Sequence, residues 1–226
     1  MSLLYGDDFE DKLTLTTSYV FVGLFNGCTG LRSLPKLPAT TLSEYCYRQM
    51  FGGCTRLEDI SDLELPATTL ARGCYSLMFQ DCSGITDASF TLPALHAIYN
   101  IYSAMFRRCT SLTDPPVIAC TNLSGSTYAM NSMFEGCTSL TYTPVLRPLA
   151  LASSCYIQMF DGCTSLTRIT ALFTSNPGYS YTNNWVRNVP MQTLNPGTYY
   201  KNPSATYTTR GNYGIPSYWT VEDYTE

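Results

Sequence analysis

Ten cysteines and a single histidine bound the nucleophilic, redox and metal chemistry open to this 226-residue chain. Cys28, Cys54, Cys82, Cys109, Cys137 and Cys163 each follow a phenylalanine by three residues. Cys46, Cys74 and Cys155 each precede one of these by eight. Zinc sites draw on close ligand pairs such as C-x2–4-C, a spacing this ladder does not offer. A disulfide needs Cα atoms within about 7 Å and converging Cβ vectors, whereas cysteines repeating along an apolar stripe read as small buried hydrophobes. Packed free thiols are therefore expected, Cys120 included, although it stands off the ladder. Any Ser–His or Cys–His pair would have to use His96. In Leu95-His96-Ala97 it takes the place held elsewhere by Thr41 and Thr69, and it reads as a solvated loop residue. With no phosphate loop or nucleophile elbow in the sequence, no catalytic centre, metal or cofactor is expected.

Carboxylates are more numerous. Glu58, Asp59, Asp62, Glu64, Asp87 and Asp114 follow the repeat cysteines, and if the segments that carry them align, they project as one acidic strip. Two such groups could hydrolyse a glycoside or hold Ca²⁺ through oxygen; a solvated or partner-binding face is the simpler reading. Tyr47, Tyr75, Tyr102 and Tyr156 repeat with the cysteines and are expected in the core or half-buried beside it. Tyr142, Tyr179, Tyr181, Tyr199, Tyr200, Tyr207, Tyr213 and Tyr218 stand off the ladder. Exposed tyrosine offers large contact area at low entropic cost, so Tyr142, Tyr199 and Tyr200 join the six acidic residues as candidate binding residues; packing of the cap tyrosines against one another is the equal alternative.

The elements that would position them come from the repeat itself. Successive Phe-x-x-Cys cysteines lie 26, 28, 27, 28 and 26 residues apart, inside the leucine-rich-repeat range of roughly 20–29. Leu24, Met50, Met78, Met105, Met133 and Met159 precede the phenylalanines. Leu31, Leu57, Ile85, Leu112, Leu140 and Leu166 follow the cysteines by three. The i, i+4, i+8 spacing of Cys46, Met50 and Cys54 predicts a helical stripe, and the following Leu-x-x-Leu/Ile stretch a brief strand. The expected fold class is thus an α/β solenoid: a leucine-rich repeat of about six 26–28-residue coils, each a short strand plus a helical turn. Residues 1–17 form a lead-in and 18–173 the solenoid, while 174–226, which hold Trp185 and Trp219, form an irregular Tyr/Trp-rich cap.

Leu-Pro-Ala-Thr-Thr-Leu at 37–42 and 65–70, Cys-Tyr-x-x-Met-Phe-x-x-Cys at 46–54, and Gly214-Ile-Pro-Ser-Tyr-Trp-Thr-Val221 carry a resemblance. They resemble the BspA-like leucine-rich repeats of gut and oral anaerobic bacteria, over about residues 18–226. The resemblance implies surface-displayed repeat proteins of adhesion and recognition, without assigned enzymatic activity. Ile101 and Ala129 depart from the family pattern where the first cysteine is expected, and Met130 where tyrosine is. The N-terminus carries no basic and apolar export signal, which opens the alternative of a phage virion protein.

Net charge is −4, with 13 basic and 17 acidic residues. No basic cluster exceeds Arg107-Arg108, so the counterion-release drive for nucleic acid is missing. Apolar runs such as Tyr19–Phe25 are too short to span a bilayer. The expectation is a non-enzymatic recognition or adhesion module on a cell or virion surface, with a protein or glycan partner and an N-terminal coil open to self-assembly. A virion structural or decoration protein is the first alternative, and a carbohydrate-active hydrolase the second.

Overall fold

The computed structural model describes residues 13–191 and 193–225. Of the expected lead-in, residues 1–12 lie outside the described residues.

Each Phe-x-x-Cys repeat is built of overlapping reverse turns. In the repeat that ends at Cys54, the N–H groups of Arg48, Met50, Gly52 and Cys54 donate to the carbonyls of Tyr45, Tyr47, Gln49 and Phe51, three residues back. The alternate N–H groups leave the repeat altogether. Those of Tyr45, Tyr47, Gln49, Phe51 and Gly53 donate to the carbonyls of Arg72, Cys74, Ser76, Met78 and Gln80 in the next repeat, at 2.8 to 3.0 Å. Every fourth residue is left-handed: Tyr45 at φ 54°, Gln49 at 54° and Gly53 at 70°. Tyr128, Ser132 and Gly136 repeat the pattern, as do Ser154, Gln158 and Gly162. A non-glycine residue held there costs about 1–3 kcal/mol, which the bonds to the neighbouring repeat must offset.

This backbone overturns the expected α/β leucine-rich-repeat solenoid. The helical turns do not form. Among the described residues the only α-helix is α1, Tyr179–Thr182, which lies beyond the last Phe-x-x-Cys repeat. An α-helix needs an unbroken run of right-handed residues bonded four back; here a left-handed residue interrupts every four, and half the N–H groups are committed to the next repeat. The strands are short and parallel. β1 (Thr91–Leu92) pairs with β2 (Val117–Ile118). β3 (Arg168–Ala171), β4 (Thr198–Lys201) and β5 (Thr220–Asp223) form a second sheet in that order. The two do not merge into one sheet along the repeats.

The core is a set of side-chain ladders. Phe25, Phe51, Phe79, Phe106, Phe134 and Phe160 stack face to face, with centroids 5.5 to 5.8 Å apart. Phe21, Tyr47, Tyr75 and Tyr102 make a second stack, which stops where Met130 replaces the ring. The Phe-x-x-Cys spacing has a direct cause in the hydrogen bonding. The thiols of Cys54, Cys82, Cys109, Cys137 and Cys163 each donate to the carbonyl of the phenylalanine one repeat earlier, at 3.0 to 3.1 Å. All ten cysteines are free. Cys28 is exposed, unlike the packed thiol expected of it: among the described residues no earlier Phe-x-x-Cys repeat lies over it.

The inter-repeat bonds run on after the cysteine signature ends. Gln158, Phe160 and Gly162 donate to the carbonyls of Asn183, Trp185 and Arg187. Trp185 carries the core past the last phenylalanine: it is buried, its ring packs against Tyr156, Phe160 and Phe173 and then Tyr199, and its Nε1–H donates to Gly214 O. Beyond it, β4 and β5 extend the parallel pairing begun by β3.

Candidate ligand groove

From Cys54 onward, the fifth residue after each repeat cysteine lies in one column on the extended side of the fold. Asp59 bridges Asp87, Asp87 bridges Asp114, and Tyr142 bridges Arg168, all in parallel. β3 then sets Arg168 beside Thr198, and β5 sets Thr220 beyond it. Neighbouring extended segments sit about 4.8 Å apart, so the column carries acidic, aromatic, basic and hydroxyl groups at that spacing. Tyr142 joins its two halves. The Tyr142 hydroxyl donates to Asp114 Oδ1 at 2.9 Å, and the Arg168 guanidinium lies 5.0 Å from its ring centroid, within cation–π range. Burial, and then the bond to the Asp114 carboxylate, push the Tyr142 hydroxyl above its ordinary pKa.

Five of the six acidic candidates divide between two places. Asp59, Asp87 and Asp114 share the column, as the alignment of the acidic segments requires. Asp59 and Asp87 each accept the N–H of the residue two further on, Ser61 and Ser89, at 2.9 Å; for Asp59 that bond holds the carboxyl below its ordinary range. Asp114 also accepts from Thr113 Oγ1 at 2.7 Å. Asp62 and Glu64 stand with Asp59 around a separate hollow that also holds Arg32 and Lys36. Glu58 is exposed, and its backbone carbonyl, not its carboxylate, holds the next segment by accepting from Thr86 N–H and Oγ1.

Around Tyr142 and Arg168 the surface sinks into a groove of about 570 Å³. It crosses successive repeats, from Ser89 through Pro115, Pro116 and Val117 to Tyr142, Val145 and Arg147, then Arg168, Thr170, Tyr200 and Tyr224. Tyr142, Tyr200 and Tyr224 are half-buried, and Val117 is 51 % exposed. Thr143 Oγ1 accepts the Thr170 N–H at 3.0 Å, which ties adjoining segments together beneath the groove.

Two of the three candidate tyrosines reach the groove, and the third does not. Strand alternation turns Tyr200 outward and Tyr199 inward. Tyr199 is fully buried, with its hydroxyl 2.9 Å from that of Tyr207, so as a contact residue it is corrected to a core residue. Tyr179 and Tyr213 are exposed and meet edge to face away from the groove. His96 is an exposed loop residue with Nε2 2.9 Å from Ser124 O. Arg147, Arg168, Tyr224 and Val117 escaped the reading of the sequence. Arg168 had a signal, since it stands five residues after Cys163, in the position that holds Asp59, Asp87, Asp114 and Tyr142.

Comparison with protein-family models, with curated proteins and with solved structures gave no match.

Proposed function

We propose that the chain is a non-enzymatic recognition module, displayed on a cell or virion surface, which holds a protein or glycan partner in the groove around Tyr142, Arg168 and Tyr200. The carrying observation is the column that brings side chains from successive repeats into one depression, with Tyr142 fixed at both ends by Asp114 and Arg168. Ligand sites are concave and mainly apolar, with a few convergent polar groups, and typically measure about 300–1,000 Å³. This groove has that size and make-up. Because the repeats bond to one another through their backbones, its walls are ordered before a partner arrives, which lowers the entropic cost of binding.

The candidate nucleophiles and acids support the same reading. Burial pushes the Cys46, Cys82 and Cys155 thiols up to about 12, whereas a nucleophilic cysteine needs a lowered pKa. The Asp59 carboxyl moves down, away from the raised value a general acid requires.

The test uses two substitutions at exposed residues, neither of which opens a cavity. Val117→Asp places a charge in the groove; Tyr19→Asp alters a residue 57 % exposed in the first repeat. Binding to arrays of extracellular proteins and glycans should fall at least tenfold for Val117→Asp and hold for Tyr19→Asp. The opposite ranking removes the groove as the site.

A further inference from the structure

We propose, building on the recognition reading above, that the groove takes an acidic sugar: a pyranose bearing a carboxylate, of the uronic or sialic acid kind, carried on a glycan. Three observations lead there. The first is charge. The chain carries −4 overall, yet the groove lining presents the Arg168 guanidinium and, among the described residues, no carboxylate. The nearest column carboxylate, Asp114, already accepts from the Tyr142 and Thr113 hydroxyls. Arg168 is exposed; its guanidinium rests on the Tyr142 ring and makes no side-chain hydrogen bond or ion pair among the described residues. A guanidinium held in this way offers its planar fork to a carboxylate, the geometry arginine matches best.

The second observation is shape. Tyr142, Tyr200 and Tyr224 present half-buried rings in one groove. The electron-rich face of a tyrosine ring attracts the slightly positive C–H groups of a pyranose, by the same electrostatics that govern aromatic contacts. Hydroxyls of Ser89 and Thr225 on the lining supply neutral hydrogen-bonding partners for sugar hydroxyls.

The third is what the groove withholds. An extended peptide added to a sheet needs a strand edge with free N–H and C=O groups. The groove lies on the face of the extended segments, where Arg168 is bridged to Tyr142 on one side and paired with Thr198 on the other. Recognition there must come from side chains, which suits a sugar better than a polypeptide backbone.

The experiment titrates the whole chain with oligosaccharides ending in glucuronate or sialic acid and with matched neutral ones, by calorimetry. Wild type and Arg168→Gln are compared after thermal melting has verified that each is folded. Acidic oligosaccharides should bind at least tenfold more tightly than neutral ones. Arg168→Gln should abolish that difference while keeping residual neutral-sugar binding, and added salt should weaken only the acidic ligands. Equal binding of neutral and acidic sugars, or acidic binding indifferent to Arg168→Gln, overturns the inference. So does binding of a glutamate-rich peptide with no sugar bound. If no sugar binds but another array ligand is lost in Val117→Asp, the acidic-sugar inference falls and the recognition reading stands. If no ligand of any class depends on Val117, both fall.

Discussion

Raising the pH should unfold this chain abruptly, and the magnitude follows from its buried thiols. Cys46, Cys82 and Cys155 are pushed up to about 12 from an ordinary 9.0. Cys74, Cys109, Cys137 and Cys163 rise well above 9.0, each chiefly because burial penalises the thiolate. In the unfolded chain the same thiols ionise near 9, so between 9 and the folded values the unfolded state binds fewer protons. Stability is therefore whole below about pH 9 and falls as pH climbs toward 12. Each thiol removes about 1.4 kcal/mol per pH unit in that window. The three held near 12 together remove about 4 kcal/mol by about pH 10, and the four deeper thiols act in the same direction, against the 5–15 kcal/mol that holds a typical domain folded. Circular dichroism and the absorbance of the buried thiolates, followed together in a strong reductant, should change in one cooperative step between about pH 9 and 12. Cys137→Ala should make the stability fall less steeply with pH in that window. Buried-ladder thiolates, Cys28 aside, that titrate one by one near pH 9 while the dichroism stays native would refute the claim that the thiol ladder is desolvated.

Two further outcomes separate the turn-built repeat from its alternatives. Gln158 sits at φ 53°, where glycine is free of the side-chain penalty, so Gln158→Gly should raise stability by about 1 kcal/mol in chemical denaturation; in a helix interior the same change would lower it by a similar amount. The Tyr102 hydroxyl is buried with no hydrogen-bond partner among the described residues, so Tyr102→Phe should be neutral or stabilising by up to about 1–2 kcal/mol, and a clear loss of stability would reveal a partner for that hydroxyl.

The repeat, its period and its buried ladders could be read from the sequence because Phe, Met and Cys recur at fixed offsets. The backbone that carries them could not be read from periodicity alone. A run of turns with a left-handed residue every four places Cys46, Met50 and Cys54 on one buried side, as a 3.6-residue helix would, and over nine residues the two periods coincide. The discriminating marks were Gly27, Gly53, Gly136 and Gly162, each directly before a repeat cysteine and each left-handed, because glycine at a fixed offset signals a turn. The acidic column was legible as far as Asp114. It then changes chemistry to Tyr142 and Arg168, so a search for one residue type stops short of the groove. Tyr199 and Tyr200 are neighbours of one type, and only the phase of β4 decides which faces out. The Trp185 segment stacks like its predecessors without a Phe-x-x-Cys signature, so its place in the stack emerges only from the hydrogen bonds of Phe160 and Gly162.

The most direct measurement of the central claim is photo-crosslinking of the intact chain on native surface material. A photoreactive phenylalanine would replace Val117 in the groove in one variant and Tyr19 in the first repeat in another. The account predicts one discrete partner adduct from position 117, suppressed when Arg168 is changed to Gln, and none from position 19. An adduct from position 19 alone, or one from 117 indifferent to Arg168, would contradict it.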